Sequence, residues 1–155
     1  MTDEIDHARV VLPPPLVFAG FLVLAIVLNL IIPLPPPWLG MLRDIAVVVV
    51  LGGLLLGGWC IRLMVRAHTS PDPHRPTSVL LTEGPYRRSR NPIYLGFLLV
   101  FLGFTILAGT LWGILLSPLV LWTMNRLVVA PEENYLQARF DAQYLAYKSR
   151  VRQWL

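Results

Sequence analysis

The stretch NPIYLGFLLVFLGFTILAGTLWGILLSPLVLWTMN, residues 91–125, contains 35 consecutive positions without a charged side chain. A bilayer core accommodates about 20 apolar residues in helical form, so this run is too long for a single membrane span. Gly109 and Thr110 lie near its middle, where a tight turn would divide it. The run therefore predicts a hairpin of two helices, at about residues 93–108 and 111–129.

Two more apolar stretches precede the hairpin, at residues 16–34 and 45–64. Prolines flank the first of them on both sides, and proline is tolerated where a helix starts but stops a helix that runs into it. Over the whole chain 55% of the residues are hydrophobic and 14% are charged, which excludes a soluble globular enzyme. We expect an all-α integral membrane protein, in which residues 1–155 form one membrane domain with about four transmembrane helices.

The positive charges are distributed unevenly between the two sides of these spans. Of the 13 Lys and Arg residues, all but Arg43 fall in segments that the four spans place on one side. Positively charged loops stay in the cytoplasm, so both termini, the loop 67–91 and the active site are expected to be cytoplasmic. The net charge of +4 then reflects this topology and contact with anionic membrane lipids, and nucleic acid is not expected as a partner.

Polar side chains that could take part in chemistry flank the hairpin. Asn91 and Pro92 are typical of an N-cap and a first helical residue. The positive end of the helix dipole would then lie beside the arginines at positions 87, 88 and 90. Such a site suits an anionic group, although a plain helix start flanked by cytoplasmic arginines explains the same residues.

A second polar cluster follows the hairpin. Pro131, Glu132 and Glu133 are typical of the first turn of a helix, where the dipole favours carboxylates. The two carboxylates could instead accept hydrogen bonds from a ligand, or pair with Arg90. Apolar residues then recur at steps of three and four, which predicts an interfacial helix at residues 131–151 with its tyrosines and Trp154 as anchors at the membrane surface.

Other residues have simpler interpretations. His68 and His74 lie in a proline-rich stretch without a second ligand at metal spacing, so no metal site is expected. Small residues spaced along the second and third spans predict close packing between helices. They are Gly53, Gly57, Gly96 and Gly103.

A longer motif covers both polar clusters. The segment LLTEGPYRRSRNPIYLG at residues 80–96, followed by Glu132 and Glu133 and then by Phe140, Tyr144 and Tyr147, resembles the isoprenylcysteine carboxyl methyltransferase family. The broader group includes the phospholipid N-methyltransferases. The resemblance covers roughly residues 76–155, about half of the chain.

This resemblance implies an integral membrane enzyme that binds S-adenosylmethionine as methyl donor at the cytoplasmic face. The acceptor would be lipophilic, either isoprenylcysteine carboxylate-like or phospholipid-like, and would reach the site through the bilayer. The cofactor-binding residues that the resemblance implies are Ser78, Val79, Leu80, Leu81, Tyr86, Asn91, Pro92, Ile93, Tyr94 and Glu132. It leaves the catalytic residues unassigned.

The residues expected to bind the methyl acceptor depart from the family pattern. Eukaryotic members commonly have His where this chain has Asn91, and an Arg tied to substrate where it has Val128. Arg126 is the nearest cation, so it is the candidate for holding an anionic group of the acceptor. We expect the acceptor to enter sideways, across the apolar faces of the third and fourth spans.

Two other functional classes fit parts of the pattern. An NADPH-dependent membrane reductase of the sterol-reductase type has a similar polar turn before a short helical hairpin. The adjacent carboxylates Glu132 and Glu133 disfavour it, because a 2′-phosphate nearby would need arginines to neutralise them. A non-catalytic membrane subunit would explain the polar cluster as cytoplasmic charge and helix capping alone. Side-by-side binding of S-adenosylmethionine and NADPH distinguishes the three classes.

Overall fold

The computed structural model describes residue 10 and residues 12–34, 39–70 and 77–155. The regular structure of these residues is helical. The five α-helices are α1 (Pro14–Ile31), α2 (Arg43–Arg66), α3 (Pro92–Leu107), α4 (Trp112–Met124) and α5 (Ala130–Lys148). Short 3-10 turns lie at Leu39–Leu42 and Gly84–Arg87, and a π turn at Asn125–Val129 joins α4 to α5.

The helices have the length and composition of an integral membrane protein, so the predicted fold class is confirmed. Helix α1, helix α2 and the continuous stretch Trp112–Lys148 are each long and apolar enough to cross a membrane. Helix α3 is equally apolar but has 16 residues, which span about 24 Å at 1.5 Å per residue. It is therefore shorter than a bilayer core of about 30 Å.

The expected hairpin is present. Helix α3 ends at Leu107 and α4 begins at Trp112. Between them Gly109 has a positive φ of 74°, which glycine adopts without steric cost, and the Thr110 hydroxyl accepts a 3.1 Å hydrogen bond from the Trp112 backbone N–H. The prediction of a turn at residues 109 and 110 is confirmed.

The segment after the hairpin differs from the expected separate helix at residues 131–151. Helix α5 continues from α4 through the π turn and ends at Lys148. Within α5 the backbone is non-helical at Asp141, where φ is 39° and ψ is −114°. A proline cannot donate to the carbonyl four residues earlier, and the widened π turn directly before Pro131 lets the chain remain helical through it.

Helices α2 and α3 pack along their glycines. A Cβ atom on Gly53 would lie 2.6 Å from the Gly96 carbonyl oxygen, and one on Gly96 would lie 3.2 Å from the Gly57 nitrogen. A Cβ on Gly103 would meet Val50 at 2.4 Å. The prediction of close helix packing is confirmed for Gly53, Gly96 and Gly103, whereas a Cβ on Gly57 would meet nothing within 4 Å.

We expect Gly53→Ala to destabilise the protein and Gly52→Ala to leave its stability unchanged or raised. The added methyl group at position 53 has no room against the backbone of α3, and overpacking of this kind costs about 1–3 kcal/mol. At position 52 a Cβ meets nothing within 4 Å, and Ala favours a helix by up to about 1 kcal/mol over Gly. Unfolding in mixed micelles measures both free energies, and equal values for the two variants would contradict the packing argument.

Helices α1 and α4 complete the bundle around α3. Helix α1 packs against α3 and α4, and α2 packs mainly against α3. The centre of the Phe18 ring on α1 lies 5.8 Å from the centre of the Phe97 ring and 6.2 Å from the centre of the Phe101 ring on α3. Side chains of α4 and the π turn close this core, with Val120, Met124, Val128 and Val129 fully buried. The polar residues at the start of α3 and on α5 are thereby brought to one end of the bundle.

Candidate functional site

A cavity of about 220 Å³ lies at the start of α3. Its wall comes from the end of α2, the segment 77–81, the 3-10 turn before α3, the first turns of α3, and α5. Eight of the ten residues expected to bind a cofactor line it. They are Val79, Leu80, Leu81, Tyr86, Asn91, Ile93, Tyr94 and Glu132.

The other two expected cofactor residues lie outside the lining. The Ser78 hydroxyl donates to the His68 carbonyl at 2.9 Å, and the Ser78 backbone N–H donates to the Thr69 hydroxyl at 3.3 Å. Ser78 is therefore turned toward the end of α2. Pro92 is fully buried as the first residue of α3, so its neighbours Asn91 and Ile93 reach the cavity instead.

Arg126, the candidate for holding the acceptor, does not line the cavity. Its guanidinium carbon lies 6.0 Å from the centre of the Trp122 ring, and the side chain is exposed. Arg126 lies six positions before Glu132, within the π turn. The two residues are close along the helix axis, but Arg126 lies beside Trp122 whereas Glu132 faces the cavity, so they lie on different faces of the continuous helical stretch.

The cavity lining differs from the one expected for an acceptor route across the third and fourth spans. Among the described residues the cavity lining contains none from α4. Its apolar part comes from Pro14 and Pro15 at the start of α1, Ile61 and Met64 near the end of α2, and Phe97 on α3. The apolar part of the lining therefore lies on α1, α2 and α3.

The two adjacent glutamates have different partners. Glu132 accepts a 2.8 Å hydrogen bond from the Tyr94 hydroxyl and faces the cavity, so it joins α5 to the first turn of α3. Glu133 forms ion pairs with Arg90 at 2.8 Å and with Lys148 at 3.2 Å. The pairing with Arg90 that the sequence left open is thus found for Glu133, and contact with a ligand stays a prediction for Glu132.

Asn91 occupies the expected N-cap position, but its side chain does not cap the helix. The Asn91 amide donates instead to the Gln153 carbonyl at 3.1 Å. Gln153 and its partner Asn125 were not among the residues singled out from the sequence. A glutamine after a helix end has no pattern that indicates a contact with a turn 62 residues earlier.

The tyrosines of α5 were expected to anchor the chain at the membrane surface, and this is wrong for Tyr144 and Tyr147. Their exposed fractions are 1% and 5%, and both line the cavity. The Tyr147 hydroxyl donates to the Tyr86 carbonyl at 2.7 Å, which holds the 3-10 turn against α5. Trp154 is also partly buried against the core. The helical period correctly placed these rings on one face, but that face packs onto protein.

Two buried hydroxyl groups at the cavity have no oxygen or nitrogen partner among the described residues. They belong to Tyr86 and Tyr144. The Cys60 thiol, a weak acceptor, lies near the Tyr86 hydroxyl. Burial raises the pKa of the Tyr86 hydroxyl above its ordinary value, so the group stays protonated at neutral pH and can donate to a ligand. Buried hydroxyls are normally hydrogen-bonded, so these two indicate where a polar ligand would bind.

The described cavity thus combines the carboxylates of Glu132 and Glu133, the buried hydroxyls of Tyr86 and Tyr144, and an apolar wall. A family model described as phospholipid methyltransferase matches residues 42–143, which cover most of this wall. The chain belongs to the phospholipid methyltransferase family. Tyr144, Tyr147 and Gln153 lie beyond the matched residues.

Individual relatives agree with the family. The chain is 34% identical over 85 residues to the protein-S-isoprenylcysteine O-methyltransferase of Schizosaccharomyces pombe, which covers 55% of this chain and 36% of that protein. It is 36% identical over 73 residues to the Saccharomyces cerevisiae protein of the same name, covering 47% of this chain and 30% of that one. An uncharacterized Haemophilus influenzae protein is 35% identical over 63 residues, its full length and 41% of this chain.

The chain spans between 30% and 36% of the length of these two isoprenylcysteine methyltransferases. No solved structure matches it. The resemblance noted from residues 80–96 and the following glutamates is confirmed at the level of the family.

Proposed function

We propose that this protein is an integral membrane methyltransferase that transfers a methyl group from S-adenosylmethionine to a lipophilic acceptor. The observation that supports it most is the cavity in which Glu132, Tyr86 and Tyr144 converge within a chain of the phospholipid methyltransferase family. The relatives named as isoprenylcysteine O-methyltransferases support the same reaction class.

The residues around the cavity fit S-adenosylmethionine. The unpartnered hydroxyls of Tyr86 and Tyr144 can donate to acceptor atoms of the cofactor. Glu132 retains acceptor capacity beyond its bond from Tyr94, and can take a hydroxyl or ammonium donor. Leu80, Leu81 and Ile93 supply apolar contact for a purine ring. In this proposal the eight lining residues expected from the sequence hold the cofactor.

The chain's own contribution to the reaction is binding and alignment. When bound, the cofactor supplies an electrophilic methyl group, so no protein nucleophile or metal is required. Tyr94 and Glu132 fix the first turn of α3 to α5, and the two unpartnered hydroxyls orient what lies between them. Holding donor and acceptor in line contributes up to about 7–11 kcal/mol in favourable cases.

The acceptor enters from the bilayer in this proposal. Helices α1 and α2 each pack against α3. Pro15 of α1 and Ile61 and Met64 of α2 form an apolar part of the cavity wall. A lipid chain can pass between α1 and α2 without crossing a polar surface. Both acceptor types implied by the resemblance, isoprenylcysteine carboxylate-like and phospholipid-like, are compatible with such a route.

The proposed orientation follows from charge. By sequence, twelve of the 13 Lys and Arg residues fall in segments that four spans would place on one side, and positive segments remain cytoplasmic. The active site and both termini are therefore cytoplasmic in this proposal. A water-soluble cofactor then reaches the cavity from the cytoplasm, and membrane lipids surround the spans.

Family membership favours the methyltransferase over the membrane reductase and the non-catalytic subunit. Binding of S-adenosylmethionine and of NADPH to the full chain in detergent, measured side by side by calorimetry, tests the proposal. We expect saturable binding of S-adenosylmethionine and none of NADPH, followed by transfer of a labelled methyl group to a lipid extract. Binding of NADPH alone would contradict the methyltransferase in favour of the reductase, and binding of neither would contradict both enzyme classes.

A further inference from the structure

The segment 149–155 turns back from α5 across the start of α3. The Arg152 carbonyl accepts a 2.9 Å hydrogen bond from the Arg90 backbone N–H. The Gln153 carbonyl accepts two more, from the Ser89 hydroxyl at 3.2 Å and from the Asn91 side-chain amide at 3.1 Å. Two consecutive carbonyl groups thus bind three consecutive residues of the turn that leads into the cavity.

The Gln153 side chain reaches in another direction. Its Nε2 donates a 2.7 Å hydrogen bond to Oδ1 of Asn125, the first residue of the π turn. Gln153 therefore connects the turn before α3 with the junction between α4 and α5. Neither Asn125 nor Gln153 lines the cavity, whereas Asn91, which Gln153 holds, does line it.

The same contacts explain why the Asn91 side chain does not cap α3. An N-cap asparagine normally accepts a hydrogen bond from the backbone N–H two or three residues later. Here the Asn91 side chain makes no capping bond, and its amide donates to the Gln153 carbonyl instead. Asn91 is buried and lines the cavity, so its contact with Gln153 lies at the cavity wall.

We propose that Gln153 is a positioning residue, which through Asn125 fixes the Asn91–Tyr94 turn of α3 relative to α5 and so sets the shape of the cofactor site. This inference rests on the proposed function for the identity of the ligand. Gln153 acts through Asn91 and makes no contact with the cavity, so its effect is on cofactor affinity and on local backbone order.

The test compares variants that break or keep the Gln153 to Asn125 hydrogen bond. Gln153→Leu and Asn125→Leu remove it, and Asn125→Asp keeps an acceptor for the Gln153 amide. Gln137→Leu makes the same replacement at an exposed glutamine of α5 and is the matched control. For each full-length variant we measure the affinity for S-adenosylmethionine, the hydrogen exchange of the backbone amides of residues 89–95, and global unfolding.

We expect both Leu variants to bind S-adenosylmethionine about three- to tenfold more weakly, which is the effect of one lost hydrogen bond. Amide exchange should accelerate at residues 89–95 only, and Asn125→Asp and Gln137→Leu should behave like the wild type. Unchanged exchange and affinity in the Leu variants, or acceleration through all helices with a lower unfolding midpoint, would overturn the proposal. A wild type that fails to bind the cofactor overturns the proposed function, and the exchange data still decide whether Gln153 orders the turn.

Discussion

Replacing Glu132 by Ala is expected to weaken binding of S-adenosylmethionine by about 1.5–3 kcal/mol, or about 10- to 150-fold, because a charge-assisted hydrogen bond is lost. Glu132 faces the cavity, and the described residues give it one hydrogen-bond donor, the Tyr94 hydroxyl. Its remaining acceptor capacity is available to a ligand. Calorimetry on the purified variant in detergent measures the loss.

Two further variants separate the ligand contact from the contact with Tyr94. Tyr94→Phe removes the hydroxyl but leaves the Glu132 carboxylate, so we expect a smaller loss of affinity than for Glu132→Ala. Glu133→Gln should also have a smaller effect, because Arg90 and Lys148 already occupy the Glu133 carboxylate. If folded Glu132→Ala binds the cofactor with unchanged affinity, Glu132 serves only to join α3 and α5.

Replacing Arg90 by Met is expected to lower the free energy of unfolding by about 3 kcal/mol, the low end of the cost of breaking a buried ion pair. The exposed fractions of the Arg90 and Glu133 side chains are 11% and 14%, so water cannot readily replace the lost partner. The guanidinium also donates to the carbonyls of Lys148 and Val151, each at 3.2 Å. Lys148 remains beside Glu133 and limits the loss.

Arg88→Met is the matched control, since Arg88 is exposed two residues earlier in the same turn. Its effect should stay within about 0.5 kcal/mol, as for other surface substitutions. Denaturant titration in micelles gives both values. Equal stability of the two variants would mean that the Arg90 ion pair contributes nothing measurable to the fold.

Much of the fold could be predicted because a bilayer restricts the possible structures so strongly. Uncharged runs of sufficient length must form helices that satisfy their own backbone hydrogen bonds, and Gly109 with Thr110 divides the longest run. The close packing of α2 against α3 could also be predicted, because glycines, which have no Cβ, can be read directly from the sequence. The expected helix at residues 131–151 lies close to α5, but its continuity with α4 was not predicted because the π turn that joins them has no sequence signature.

The site could be predicted in part. The motif around residues 80–96 and Glu132 indicated eight residues that line one cavity. The amphipathic period of α5 placed Tyr144 and Tyr147 on one face but could not say whether that face meets lipid or protein. The structure places Arg126 outside the cavity lining, because residues that are close along a helix can face different sides of it.

The amino-acid sequence by itself determined the helical membrane class, the hairpin and the segments that supply the site. Those features depend on local composition and on the solvent that each segment meets. The tertiary structure decided which glutamate accepts from Tyr94 and which one pairs with Arg90, which tyrosine hydroxyls lie buried at the cavity, and that Gln153 returns to hold Asn91. These contacts join residues far apart in the chain, and they depend on helix rotation and on the path of the chain after α5, neither of which a local pattern encodes.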